Sequence, residues 1–122
     1  MDIQQTTTDE VSVMDEGTLA FAVTLFSALA HPTRLRIVEL LTINARTVNE
    51  VAQCLGILQP NASQHLAILN RAGVVKVTPD GVARSYSLRG PRIARVLRLV
   101  NEFRNVHASD LERLAAQEPV EV

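Results

Sequence analysis

Apolar residues recur at spacings of three and four along most of the chain, switch to a spacing of two between residues 74 and 88, and then return to three and four. The first helical stripe runs over residues 15–30 and consists of Leu19, Ala22, Val23, Phe26, Leu29 and Ala30. Phe21 and Leu25 carry it so far round that this helix is apolar on most sides, as expected of a helix buried on two fronts. One front faces its own domain and the other a second subunit. His31-Pro32 breaks the stripe, with Pro32 suited to a first helical position. The next helix spans residues 33–42, with Leu35, Ile37, Val38 and Leu41 inward and Arg34, Arg36 and Glu39 outward. His31 stands where Asp or Ser would cap better; it reads first as a modest cap and second as a ligand. Residues 44–46 form a loop.

Thr47 opens a helix with a capping box, since Thr47 can accept from the Glu50 N–H and Glu50 can reach back to the Thr47 N–H. Val48, Val51, Ala52 and Leu55 supply its apolar face, and Gly56 suits its left-handed end. Ile57 and Leu58 are apolar turn residues expected to plug the angle to the next helix. That helix spans about residues 59–71, with Pro60 in its first turn and Ala62, Leu66, Leu69 and Ile68 inside. Ala72-Gly73 ends it. Val74, Val75 and Val77 favour a strand, Pro79-Asp80-Gly81 is turn chemistry, and Arg84, Tyr86 and Leu88 return with alternating polarity. Helix, tight turn, helix and hairpin together make a winged helix-turn-helix.

Gly90-Pro91 opens a last amphipathic helix. Ile93, Val96, Leu97, Val100 and Phe103 form its stripe, and Leu111 and Leu114 extend it to about residue 117. Little of its own domain is left for it to cover. It is expected to pack with the first helix across a dimer axis, through Leu19, Val23, Phe26, Ile93, Val96, Leu97, Val100 and Phe103. The fold class is therefore mainly α with a β-hairpin wing: three helices, a recognition helix, two strands and a last helix. Residues 1–14 read as a flexible acidic tail, 15–117 as the winged domain with terminal dimerisation helices, and 118–122 as a tail.

The outer face of the helix over residues 59–71 carries Gln59, Asn61, Ser63, Gln64 and Asn70, with His65 and Arg71 beside them. A merely solvated helix face normally carries Glu and Lys. This one has no acid. Amides pair bidentately with adenine, and hydroxyls reach base edges or phosphate. His65 fits half-buried packing as well as a DNA contact. Arg84 near the wing tip, Lys76 at the hairpin base, Arg71 and Arg34 are candidate phosphate contacts; a solvated or ion-paired cation is the plain alternative for each.

The formal net charge of −1 argues against DNA until it is partitioned. Residues 1–30 hold five acids and no base, residues 31–92 eight bases and three acids, and residues 93–122 four bases and five acids. The positive charge sits in the reading head, where phosphate attraction needs it. At 122 residues and 47% hydrophobic content the chain fits one small domain. It has no apolar run of membrane-spanning length. Its N-terminus has acids and no base, unlike a signal peptide. Its one cysteine excludes an intrachain disulfide. A cytoplasmic protein without membrane contact is expected.

The stretches SALAHPTRLRIVELL (Ser27 to Leu41) and VNEVAQCLGILQPNASQHLAILNRAGVV (Val48 to Val75), followed by the wing, resemble the ArsR/SmtB group of bacterial winged-helix repressors over about residues 19–105. The resemblance implies a homodimeric repressor that leaves a palindromic operator when an inducer binds. Members of that group often sense metals. One site is a Glu-Leu-Cys-Val-x-Asp motif, which here falls with Thr47 at its cysteine and Glu50 at its aspartate. The other is an Asp-x-His…His-x-x-Glu set on the last helix, which falls on Gly90, Arg92, Phe103 and Val106. Thr47 supplies no thiolate and the last four are not ligands, so neither metal site is expected. His107 and Asp110, at i and i+3, could form half a site across a dimer. Cys54 reads as a buried inert thiol or, alternatively, as a singly oxidised redox sensor. An organic inducer, or none, stays open, and no cofactor is expected. The chain shows no nucleophile–base pair, phosphate loop or paired carboxylates, so an enzyme is not expected. The other reading for a winged helix is a protein–protein interaction module without specific DNA binding.

Overall fold

The computed structural model describes residues 14–117. The stretches assigned above to the N-terminal tail (up to residue 13) and to the C-terminal tail (118–122) lie outside the described residues. The elements run α1 (Glu16–Leu29), α2 (Pro32–Leu41), β1 (Arg46–Thr47), α3 (Val48–Leu55), α4 (Gln59–Arg71), β2 (Val75–Asp80), β3 (Ala83–Leu88), α5 (Arg92–Val106) and α6 (Ala108–Ala116).

Each early helix starts where a side chain satisfies a free N–H. Asp15 Oδ1 accepts from the Thr18 N–H at 2.7 Å, which holds its carboxyl below the ordinary carboxylate value. His31 Nδ1 accepts from the Thr33 N–H at 3.1 Å, so His31 is indeed the cap of α2. Both halves of the capping box on α3 form: Glu50 N–H to Thr47 Oγ1 at 3.2 Å and Thr47 N–H to Glu50 Oε1 at 2.8 Å. Gly56 ends α3 at φ 66°, a conformation that a Cβ would disfavour.

The core sits under α4. Ala62, Leu66 and Leu69 are fully buried against Ile37 and Val38 of α2, Val51 of α3 and Val75 of β2, and Tyr86 of β3 closes one side. This arrangement holds the inner face of α4 against three elements and leaves its outer face bare.

Several details depart from the expectations above. Arg46 and Thr47 form a third strand, pairing with Tyr86 and Ser85, so the sheet has the order β1-β3-β2. Two residues are too few to show an alternation. The wing turns on Gly81-Val82, with Asp80 paired to Ala83. Pro79 lies in the edge strand β2, where its missing N–H breaks no ladder between central strands. Leu35 is exposed rather than inward, because Ile37, Val38 and Leu41 fill the core side of α2. Leu58 does not plug the inter-helix angle; it is 71% exposed, and Ile57 alone packs against the core. The last helix is two: α5 stops at Val106, and His107, at φ −109° and ψ 22°, turns the chain into α6. Val106 and then His107 follow Phe103 in phase, and the helix breaks at His107.

Ile93 and Leu97 are partly buried against the chain's own core, so α5 covers more of its own domain than expected. Val96 is half-buried beside them. Arg89 ties the wing to the end of α4. Its Nε donates to the Gly73 carbonyl at 3.1 Å and its Nη2 to the Val75 carbonyl at 3.2 Å.

Urea denaturation tests this accounting. Leu66→Ala should cost about 2–5 kcal/mol, as expected for a fully buried leucine. Thr47→Ala should cost about 0.5–2 kcal/mol through the lost cap. Arg89→Ala should cost on the order of 1 kcal/mol through its carbonyl contacts, while Arg84→Ala on the wing should stay within about 0.5 kcal/mol.

Candidate nucleic-acid interface

With one face of α4 sealed into the core, Gln59, Asn61, Ser63, Gln64 and Asn70 are all exposed on the other. No carboxylate lies on this helix. Arg71 is exposed in its last turn, where a cation also complements the helix dipole. Lys76 and Arg84 are exposed on β2 and β3, with Arg84 opposite Pro79, one pair from the wing tip. Amides, a hydroxyl and cations are therefore all exposed on α4 and on the wing that follows it.

The eight bases of the reading head do not all serve that surface. Arg36 Nη1 pairs with Glu39 at 2.9 Å. Arg34 Nε donates to the Ala28 carbonyl at 2.6 Å, and its Nη1 lies 3.4 Å from His65 Nδ1. Arg46 Nη1 reaches Cys54 Sγ at 3.5 Å, while its Nε is buried with no partner. Arg89 holds backbone carbonyls. Among the described residues this leaves Arg71, Lys76 and Arg84, with Arg92 at the start of α5, as cations without a hydrogen-bonded protein partner. Arg34, a candidate phosphate contact by sequence, is half-buried and engaged with the Ala28 carbonyl and His65.

His65 is half-buried on α4. Its ring centroid lies 4.6 Å from that of His31, with the planes tilted by 50°. Because a guanidinium can only donate, His65 Nδ1 is the acceptor toward Arg34, and the neutral ring carries its proton on Nε2. Burial, then His31, then Arg34 push its pKa below the ordinary histidine value of 6.5.

Cys54 is exposed, which overturns its reading as a buried thiol. Val51, Ala52 and Leu55 take the core side of α3 and turn it outward. His107 packs against Phe103, with centroids 4.8 Å apart and planes tilted by 50°, and Asp110 accepts from Arg113 Nη2 at 2.7 Å. Asp110 is thus already engaged within its own helix. Among the described residues no three His, Cys, Asp or Glu side chains gather closely enough to hold a metal ion. No described helix is long and apolar enough to cross a membrane.

Of the residues proposed for a subunit interface, Leu19, Val23 and Phe26 on α1 and Val100 and Phe103 on α5 are all at least half exposed. Phe21, Leu99 and Val106, not singled out in the sequence for this role, are exposed as well.

A helix-turn-helix domain model matches residues 29–78, which contain α2, α3, α4 and most of β2. The sequence is 47% identical over 73 residues to Rv0081 of Mycobacterium tuberculosis, an uncharacterised HTH-type transcriptional regulator; the match covers 59% of this chain and 64% of that relative, just short of two thirds of its length. It is 40% identical over 73 residues to the HTH-type transcriptional repressor SmtB of the same organism, covering 60% of this chain and 54% of that one. The crystal structure of Rv0081 aligns with a TM-score of 0.67 at 39% identity, over 84% of this chain and 100% of that one. The solution structure of the homodimeric winged helix-turn-helix DNA-binding domain of Mb0332 from Mycobacterium bovis, a possible ArsR-family transcriptional regulator, aligns with a TM-score of 0.71 at 29% identity, over 79% of this chain and 89% of that one. Together with the winged fold and the bare polar face of α4, these likenesses show that the chain belongs to the ArsR/SmtB family of winged helix-turn-helix transcriptional regulators.

Proposed function

We propose that the protein is a homodimeric, sequence-specific DNA-binding repressor that occludes a promoter at a palindromic operator and is released by an inducer. The observation that carries this reading is the outer face of α4: an exposed run of amides and a hydroxyl with no acid, flanked by the exposed cations Arg71, Lys76 and Arg84. The amides read base edges and the cations hold phosphate. Dimerisation uses the apolar faces left exposed on α1 and α5, centred on Val23, Phe26, Val100 and Phe103. A twofold axis there sets two copies of α4 into successive major grooves, about 34–36 Å apart. The homodimeric state of the Mb0332 domain and the repressor role of SmtB support this reading. Being engaged internally, Arg34 acts in it through α4 rather than on phosphate.

Fluorescence anisotropy with the DNA upstream of the gene, against a scrambled duplex at about 150 mM salt, tests it. Preferential binding is expected. Equal weak binding to every duplex in a genomic-fragment selection, with capture of a stable protein partner, would instead establish an interaction module. Gln64→Ala should cost about 1–3 kcal/mol of affinity and relax specificity at its base pair, while Arg84→Ala should weaken all sequences and flatten the salt slope by about 1. Phe103→Asp should turn a dimer into a monomer in sedimentation while the fold stays intact. A dimer that persists would move the interface away from α1 and α5.

A further inference from the structure

Three side chains meet between α2 and the recognition helix, and the contact between Arg34 and His65 is one that a proton on His65 would undo. His31 Nδ1 accepts the Thr33 N–H and so caps α2. His65 Nδ1 faces Arg34 Nη1. A proton there turns an acceptor into a second donor against a guanidinium that cannot accept. The two rings lie against each other, so a charge on one opposes a charge on the other. Arg34 is itself held in place by the Ala28 carbonyl at the end of α1. The cluster therefore links α1, α2 and α4 at one point.

Beside burial, the charges acting on His65 are those of His31 at the cap of α2 and Arg34 within α2. Of the other elements packed on α4, α1 brings the Ala28 carbonyl, α3 brings Glu50, and β2 brings Lys76 and Asp80; none of these three side chains contributes to the shift of His65.

We propose that His31, Arg34 and His65 form a proton-sensitive latch that holds the recognition helix in its reading position only while His65 is neutral, so that acidification releases sequence-specific DNA. This rests on the DNA-reading role proposed above. It opposes what simple charge would do. A histidine that only added positive charge to a DNA-facing helix would tighten binding as pH falls. The latch loosens it, because the specific complex excludes a proton that the free protein accepts. The loss sets in below the ordinary histidine value of 6.5, since His65 is shifted downward from there.

Two measurements decide it. The first uses the free protein and long-range ¹⁵N NMR of the imidazoles. His65 is expected in the Nε2–H form, with a midpoint that rises in both His31→Ser and Arg34→Gln. Serine keeps a cap acceptor for Thr33, so His31→Ser separates the electrostatic role from folding. An Nδ1–H ring, or a midpoint indifferent to both substitutions, overturns the latch. The second follows anisotropy of the selected duplex between about pH 8 and pH 5.5. Wild-type affinity should fall by up to about tenfold per pH unit below the midpoint. His65→Asn, which keeps an acceptor toward Arg34 but does not titrate, should be flat through that window. Affinity that rises on acidification, or a His65→Asn profile that matches wild type, overturns the proposal. If wild type prefers no duplex at about pH 8, the DNA-reading role has failed, and the latch is decided by hydrogen exchange. Protection of α4 amides must then drop below the midpoint in wild type and not in His65→Asn.

Discussion

The burial of one face of α4 is the constraint on which the rest of the structure depends. Ala62, Leu66 and Leu69 have no exposed surface, and the residues that cover them come from α2, α3 and β2. A helix on the surface of a small domain has few turns in which to do two jobs. Here three inward positions anchor it, and the positions between them are released to carry amides and a hydroxyl. Polar residues of medium helix propensity such as Asn61, Ser63 and Asn70 are tolerated there because tertiary burial, not local preference, holds the helix.

The distribution of cations follows from the same constraint. A reading head must be positive toward DNA, yet its backbone also has carbonyls that need donors. Arg34 and Arg89 meet that second need, one at the end of α1 and one at the junction of α4 and the wing. Both carry a delocalised guanidinium able to donate in two directions at once, which a lysine ammonium on a flexible stem does less well. The positive charge counted along the sequence therefore divides into a share bonded to the protein's own carbonyls and a share on Arg71, Lys76 and Arg84 that is exposed and unpaired among the described residues.

The apolar surface of α1 and α5 is the counterpart of the polar face of α4. Val23, Phe26, Val100 and Phe103 stay exposed although the domain core is complete without them. Exposed apolar area on this scale marks an interaction surface. These residues lie on the first helix and on the helix after the wing, and none of them belongs to α4.

Much of this was legible along the chain. The helices of the reading head, the capping box at Thr47, the left-handed stop at Gly56, the inner triplet of α4 and the polar character of its outer face all follow from local chemistry at fixed spacing. That information is one-dimensional, and it survives because caps, breakers and helical periods act between residues three or four apart. Tertiary structure decided what depends on distant partners. Residues 46 and 47 became a strand only because β3 lay alongside them. Leu35 and Leu58 stayed outside because other apolar residues had filled the space within. Ile93 and Leu97 turned to their own core. Cys54 faced solvent, Arg34 reached back to the Ala28 carbonyl, and His31 met His65 across 33 residues of intervening sequence. No pattern of spacing encodes such a meeting, because it is set by how α2 and α4 cross once their apolar faces are buried.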